Sequence, residues 1–424
     1  MLEIQKIRAE ADTLTAGLEK KNVADAAAKI AKLLELDGLR RQTVTELEQW
    51  RNLVNNSSKS IGNLMKEGKK EEAETLKAEL AQAKDKIKDL EQQQVSVEEE
   101  SYQLLVSLPN IPHESVPKGK SADDNIVVKG NNKQVTFDFS PKPHWELARD
   151  HDIIDWELGV KLTGAGFPVY KGKGAAFQRA LITFFLDTAR EAGYTEIMPP
   201  LMVNEASGFA TGQLPDKDGQ MYFVERDGFY LIPTAEVPIT NLYRNDIFNA
   251  EDLPIKNCGY TPCFRREAGS YGKDVKGLNR LHQFDKVEIV QITLPEHSYA
   301  TLETMTLHSE GLLEALGLPW HRLLLCSGDM SFTSAKTYDL EVYSAGQGRW
   351  LEVSSVSNFE TYQTNRLKLR YRDENKKIQL AHSLNGSALA LPRILAALLE
   401  NNQQADGSIV IPEVLRKYTG FDRI

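Results

Sequence analysis

The chain has 424 residues, 41% hydrophobic and 26% charged, which is the balance of an ordinary globular protein with room for two or three domains. Its net charge of −9 argues against a generic polyanion binder, so any nucleic-acid contact must come from a local basic patch. No apolar run approaches the roughly 18 residues needed to cross a bilayer, so no membrane partner is expected.

The first residues, MLEIQKIRAEAD, are polar and acidic where a signal peptide would have an apolar centre, which makes a cytoplasmic location the expectation. Residues 1 to about 25 read as a short helical segment. From about 30 to 105 the chain is almost free of proline and follows a heptad rule. Leu47, Trp50, Val54, Ser57, Ile61 and Leu64 recur at alternating spacings of three and four. Ala73, Leu76, Leu80, Ala83, Ile87, Leu90, Gln94, Val97, Ser101 and Leu104 do the same. Between the two runs, Gly68 can take the turn that ends a helix. The pattern predicts an antiparallel coiled-coil hairpin projecting on the order of 50 Å. Such a hairpin is either a dimerisation spacer or an arm for an extended partner. Arg51, Lys59, Lys66, Lys69 and Lys70 stand against Glu67 alone between 51 and 70, interleaved with Asn52, Asn55, Asn56, Ser58 and Ser60. Cations, amides and hydroxyls suit a phosphate–ribose backbone, so those five basic residues form a candidate RNA patch.

A proline-rich linker is expected from 107 to 125, dividing an N-terminal arm (1–106) from a second domain (126–424). There the pattern changes to short β-rich runs such as KVEIVQI, TYDLEVY and RWLEVSS, with helices such as AAFQRALITFFLDTAREAG between them. Several strands follow one another without a helix, which predicts an α+β fold with a mixed, mostly antiparallel sheet flanked by helices. Neither GxGxxG nor GxxxxGK[ST] occurs, so Rossmann and P-loop modes of nucleotide binding are excluded. Cys258, Cys263 and Cys326 lack metal-ligand spacing and read as reduced structural thiols.

The segment from Tyr260 to Val290 is the most informative. It reads as two strands joined by a long loop holding Gly269, Gly272 and Gly277 among Lys273, Lys276 and Arg280. The first strand ends in Phe264, Arg265 and Glu267, and period-two alternation puts Phe284, Lys286 and Glu288 on one face of the second. A flat aromatic, an arginine and a carboxylate at one cleft suit a nucleotide, its phosphates and an ammonium group. On its own the Arg–Glu pair is read equally well as a cross-strand ion pair. His282 reads as a sheet residue rather than a catalyst.

With the hairpin and linker, three segments in order carry a resemblance: GYTEIMPPLM (193–202), Phe264–Arg265–Glu267 with the following loop, and LNGSALALPRILAALLEN. The chain resembles the bacterial seryl-tRNA synthetases of the class II aminoacyl-tRNA synthetase family over essentially its whole length. The resemblance implies a homodimer whose interface includes the first segment, where Pro200 is expected to open a strand. It implies that Arg265 bridges the amino-acid carboxylate and the ATP α-phosphate, that Glu267 faces the adenine and that Phe284 stacks on it. Arg266 and Leu281 also belong to the ATP set, and Arg393 holds the γ-phosphate end, making Arg265 and Arg393 the catalytic pair. Glu352, Val353, Ser354 and Ser355 form a nucleotide wall, with Glu352 and Ser355 as ligands of Mg²⁺. Thr234, Ala235 and Glu236 form an amino-acid lid loop, and with Arg265, Glu288 and Ser387 they complete the serine pocket. Arg266 stands where the family more often has a small polar residue, and Ala388 and Pro392 where it usually has glycine. CSGDMSFTSAKTYDLEVY also matches the family, and Asp339 and Glu341 there are read as support for the sheet.

The implied activity is serine–tRNA ligation: Mg·ATP activates L-serine to seryl-adenylate, and serine passes to the 3′-terminal adenosine of tRNA(Ser). Family members also charge tRNA(Sec) with serine, which extends the expected partners. Two other readings are a class II relative that activates a small amino acid for a non-tRNA carrier, and a non-catalytic binding protein on a degenerate scaffold. The hairpin disfavours the first, and the intact Arg265, Glu267, Glu288, Glu352 and Arg393 disfavour the second.

Overall fold

Apolar residues three and four apart wind the first hundred residues into helices α1 (Ile4–Ala9), α2 (Ala11–Lys20), α3 (Ala26–Lys66) and α4 (Lys70–Ser107). Between α3 and α4 the chain reverses at Gly68, whose φ of +80° is unstrained only for a residue without a Cβ. The two long helices pack along the heptad seam. Leu47, Ala73, Leu80, Ala83, Leu90 and Val97 are buried, and Trp50, Val54, Ser57, Ile61 and Leu64 are half-buried between exposed neighbours. At the root, Ile30, Leu33 and Leu36 are buried, and Asp37 is enclosed by Arg8 (3.1 Å), Arg41 (3.1 Å) and Arg40 (3.7 Å), which ties α1 to α3. The computed structural model describes all residues except 132, 134, 217 and 268–275. They divide into two units, Met1–Pro109 and Asn110–Ile424.

The second unit is built on an eight-stranded sheet. Its strands are β1 (Ile126–Gly130), β2 (Thr195–Glu196), β3 (Ile255–Phe264), β4 (Gln283–Thr293), β5 (Trp320–Leu324), β6 (Lys336–Ser344), β7 (Arg349–Glu360) and β8 (His382–Ala390). They lie in the order β1-β5-β6-β7-β8-β4-β3-β2, and every pairing is antiparallel except β2 with β3. This is the mixed, mostly antiparallel sheet that the sequence predicts.

Helices α5 (Gly172–Glu191), α6 (Glu236–Asn241), α7 (Ser298–Ala315), α8 (Thr361–Leu367) and α9 (Leu391–Asn401) flank it. Phe177, Leu181, Phe185 and Ala189 of α5 form a stripe at helical spacing and meet Val287, Ile289, Leu302 and Leu395 in the main core. Because side chains alternate, Lys286 and Glu288 face away from that core, on the side where Val290 packs against Ala235 and Ile239.

Within the expected linker, residues 110–125 pack on the second unit, and one expectation changes. The Asn110 amide donates to the carbonyls of Thr333 (2.9 Å) and Phe359 (2.8 Å), and Val116 is buried against Leu325 and Met330. The strand expected to open at Pro200 begins at Met202, because Pro199 and Pro200 lack the N–H that a ladder needs.

Candidate active site

Adjacent strands β3, β4, β8 and β7, with the turns and helices at their ends, carry the predicted site residues, and Glu288 and Ser387 face each other in register. At one end, the turn after the short strand Phe229–Leu231 carries Thr234 and Ala235 to the start of α6, whose first residue is Glu236. Thr234 Oγ1 accepts from the Glu236 backbone N–H (3.2 Å) and from Lys286 Nζ (2.7 Å). Lys286 Nζ also lies 2.5 Å from Glu288 Oε2. Glu236 is buried, and its Oε1 accepts from Gln363 Nε2 at 2.6 Å, while Gln363 Oε1 accepts from Ser383 Oγ at 2.8 Å. Burial first, and then the charge of Glu288, pushes the Glu236 carboxyl up to about 7 against the pull of Gln363, Lys286 and Arg265. Ser387 pairs in register with Glu288. Leu384 and Ala388 of the same strand lie in the core, so alternation turns Ser387 toward Glu288. The Ser387 carbonyl accepts from Ser354 Oγ (2.6 Å) and Ser309 Oγ (3.2 Å).

Beside this pocket, the Arg265 guanidinium lies 5.1 Å from the centre of the Phe284 ring, and its Nε donates to the Pro233 carbonyl at 3.3 Å. Arg266 is held by its backbone N–H on the Gln220 carbonyl (2.8 Å). Glu267 has a positive φ of 50° and pairs with Arg280 at 2.5 Å, so its carboxylate is already engaged from across the loop. Gly269, Gly272 and Lys273 lie outside the described residues. Leu281 is 4% exposed within the main core, which commits its side chain to packing.

Arg393, at the start of α9, donates from Nε to the Asn279 carbonyl (3.0 Å) and from Nη1 to the Glu352 carbonyl (2.8 Å). The Glu352 carboxylate is 3.7 Å away. Val353 points into the core, whereas Glu352 is half-exposed. Ser355 pairs in register with Asp339 and bonds its carboxyl. Asp339 is buried, and burial together with the Glu352 charge holds its carboxyl well above the usual range; its Oδ1 has no partner among the described residues. Glu341 pairs with His321 at 2.5 Å.

The described residues contain no cluster of three or more His, Cys, Asp or Glu suited to a metal ion. One carboxylate and one hydroxyl, Glu352 and Ser355, still fit magnesium, which keeps several waters and takes its remaining oxygens from phosphates. Ala388 is fully buried, and Pro392 sits in the first turn of α9, where a missing N–H costs nothing.

On the arm, Lys59, Lys66 and Lys70 are exposed with no acidic partner within ion-pair distance among the described residues. Lys59 and Lys66 are seven apart and share a face of α3. Arg51 and Lys69 pair with Glu91 (2.7 Å) and Glu67 (3.0 Å), so they carry less of the patch's charge. His282 bonds Tyr222 (2.7 Å) and stacks on Phe167, as a structural residue would. All three cysteines are buried free thiols.

The sequence placed Lys286 on this face without giving it a role. It missed Gln363, whose partners Glu236 and Ser383 are distant in the chain. It also missed His144 and Glu400. The one signal for Glu400 was a carboxylate in the apolar run LPRILAALLEN.

Comparisons with known proteins agree across the chain. A family model for the seryl-tRNA synthetase N-terminal domain matches residues 1–112, and one for the tRNA synthetase class II core domain (G, H, P, S and T) matches 222–402. A serine–tRNA ligase of Salinibacter ruber is 53% identical over 100% of this chain and 99% of its own. One of Solibacter usitatus is 50% identical over 92% of each. Among solved structures, the seryl-tRNA synthetase of Pyrococcus horikoshii complexed with ATP superposes with a TM-score of 0.95 at 34% identity, covering 100% of this chain and 99% of its own.

Proposed function

The chain belongs to the seryl-tRNA synthetase family, and we propose that its cleft activates L-serine with ATP and transfers it to tRNA(Ser), and to tRNA(Sec) where that tRNA is present. The observation that carries the reading is the closeness of two charge environments at one end of the sheet. Glu236 and Glu288 put two buried carboxylates around the single cation Lys286, and Arg265 over Phe284 lies next to them. An amino acid has the complementary ends, an ammonium for the carboxylates and a carboxylate for the guanidinium. The hairpin favours tRNA over a carrier protein as acceptor.

In the first step the serine carboxylate attacks the α-phosphorus. A new P–O bond forms as the bond to the bridging oxygen breaks, and pyrophosphate leaves with the electron pair. Arg265 stabilises charge at the α-phosphate, and Arg393 holds the γ-phosphate end. Glu352 and Ser355 would hold magnesium, which when bound neutralises charge on the phosphates. In the second step a hydroxyl of the terminal adenosine attacks the activated carbonyl, a phosphate oxygen takes its proton, and AMP leaves. A buried site built around polar groups favours serine's hydroxyl, because alanine or glycine would leave those groups unpaired.

The arm would carry the tRNA through Lys59, Lys66 and Lys70. Exposed apolar side chains on the first signature segment, with Met198 at 89% and Met202 at 50%, support a homodimer. No helix among the described residues is long and apolar enough to cross a membrane, and a cytoplasmic location fits that.

Amino-acid-dependent ATP–pyrophosphate exchange across serine, threonine, alanine, glycine and cysteine tests the reading. Exchange with serine alone is expected. Strong exchange with another amino acid would overturn the substrate, and none with any would overturn the activation chemistry.

A further inference from the structure

A second polar network lies behind the ATP end, and none of its core atoms would touch a substrate. His144 and Glu400 are both fully buried. Glu400 Oε1 accepts from the His144 backbone N–H (2.9 Å), from His144 Nδ1 (2.7 Å) and from Gln347 Nε2 (3.2 Å). Its Oε2 accepts from Ser344 Oγ and from the Gly346 N–H (2.9 Å). On the far side of the imidazole, the backbone N–H of Leu278 donates to Nε2 at 2.8 Å. An amide N–H can only donate, so Nε2 must present its lone pair and Nδ1 must carry the hydrogen. A Cβ on Gly277 would lie 2.1 Å from Nε2, so a glycine is what lets the backbone approach this closely.

The next residue passes the constraint to the site. The Asn279 side chain donates to Gln347 Oε1 (2.9 Å), and the Asn279 carbonyl accepts from Arg393 Nε (3.0 Å). The two-residue segment Leu278–Asn279, whose last carbonyl aims Arg393, is therefore held from behind by His144 at its N–H and by Gln347 at the Asn279 side chain. Both lead to the same Glu400 carboxylate, which belongs to the helix carrying Arg393.

We propose that His144 is a positioning residue for nucleotide binding: its Nε2 fixes the returning end of the 265–282 loop, and the fixed Asn279 carbonyl sets the Arg393 guanidinium for the γ-phosphate end of ATP. This rests on the assignment of Arg393 made above. The competing role is purely structural, with His144 serving only to satisfy the buried Glu400. The two roles use different ring nitrogens, so amide isosteres separate them. His144→Asn keeps an N–H near Nδ1 for Glu400 and removes the acceptor for Leu278. His144→Gln keeps an oxygen near Nε2 for Leu278 and removes the donor to Glu400.

The measurement is pyrophosphate exchange with the full chain, varying ATP at saturating serine and serine at saturating ATP. His144→Asn is expected to raise the KM for ATP severalfold, because the Asn279 carbonyl no longer holds Arg393 in one direction, and to leave the KM for serine in place. His144→Gln is expected to recover most of that loss. The reverse order, or equal changes in both KM values, overturns the proposal. If His144→Asn does not fold, Gly277→Ala displaces the same contact and should give the same ATP-selective loss; a balanced loss there also overturns it. Arg393→Ala is the control. If it leaves the KM for ATP unchanged, the Arg393 assignment falls and the proposal with it. If it raises that KM while His144→Asn does not, the proposal alone falls.

Discussion

Glu236 offers a test of the proposed serine pocket that leaves the nucleotide end unaltered. Its carboxyl is pushed up to about 7, first by burial and then by the nearby charge of Glu288. Serine's ammonium stays protonated across the neutral range, so the pocket attracts it fully only when Glu236 is ionised. As pH falls through about 7, Glu236 takes up a proton and the KM for serine must rise. If binding requires the ionised form, KM carries a factor that is about 11 at pH 6 and about 1.1 at pH 8. The tenfold ratio corresponds to about 1.4 kcal/mol. Pyrophosphate exchange at saturating ATP, run from pH 6 to pH 8, gives this ratio, with the KM for ATP as internal reference. Glu236→Gln should raise the KM for serine and flatten its pH dependence. Gln363→Leu removes a hydrogen bond that lowers the Glu236 value, so the rise should move to higher pH. A flat profile in the unaltered protein, or the same slope in Glu236→Gln, would refute the reasoning.

Lys59→Glu with Lys66→Glu should weaken tRNA binding and reduce the slope of log affinity against log salt by roughly one to two, with pyrophosphate exchange unchanged. Filter binding across a salt series reads this, and unaltered binding would remove the patch from the RNA surface. Lys286→Met leaves Glu288 buried beside Glu236 without its cation 2.5 Å away. Breaking a buried pair should cost about 3–5 kcal/mol in denaturant unfolding, and the serine KM profile should shift to higher pH, since Lys286 lowers the Glu236 value. Phe177→Ala empties a fully buried site in the main core and should cost about 3–5 kcal/mol by the same assay. A loss well under 1 kcal/mol would mean that α5 is not anchored there.

What could be read from the chain divides by the range of the interaction. The hairpin was legible because each seam residue is set by neighbours three or four positions away, and every predicted seam residue from Leu47 to Leu64 and from Ala73 to Leu104 is buried or half-buried. Lys286 and Glu288 share a face as period two predicts, whereas Phe284, expected beside them, packs against the main core. Strand order was not legible, since β1 beside β5 and β4 beside β8 depend on pairings across the whole second unit. The segment at 110–125 has linker composition, yet Asn110 is claimed by carbonyls more than two hundred residues away. The pairing of His144 with Glu400 spans 256 positions, and no local pattern announces it. Glu267 was given a nucleotide contact, and only the folded loop reveals that Arg280 competes for it.

The seam of the hairpin is not uniform along its length. Near the root Ile30, Leu33 and Leu36 are fully buried, whereas toward the turn Ser57, Ile61, Leu64 and Leu76 are only half-buried, alternating with the buried Ala73 and Leu80. Burial contributes in proportion to the apolar area removed from water, so the half-buried distal seam is held more weakly than the root. Opening is therefore cheapest at the distal end, and amide hydrogens near Gly68 should exchange long before those around Leu33. The outer helix turns, where Lys59 and Lys66 sit, are then the part of the hairpin that can flex, which would suit the irregular ribose–phosphate surface proposed as their partner.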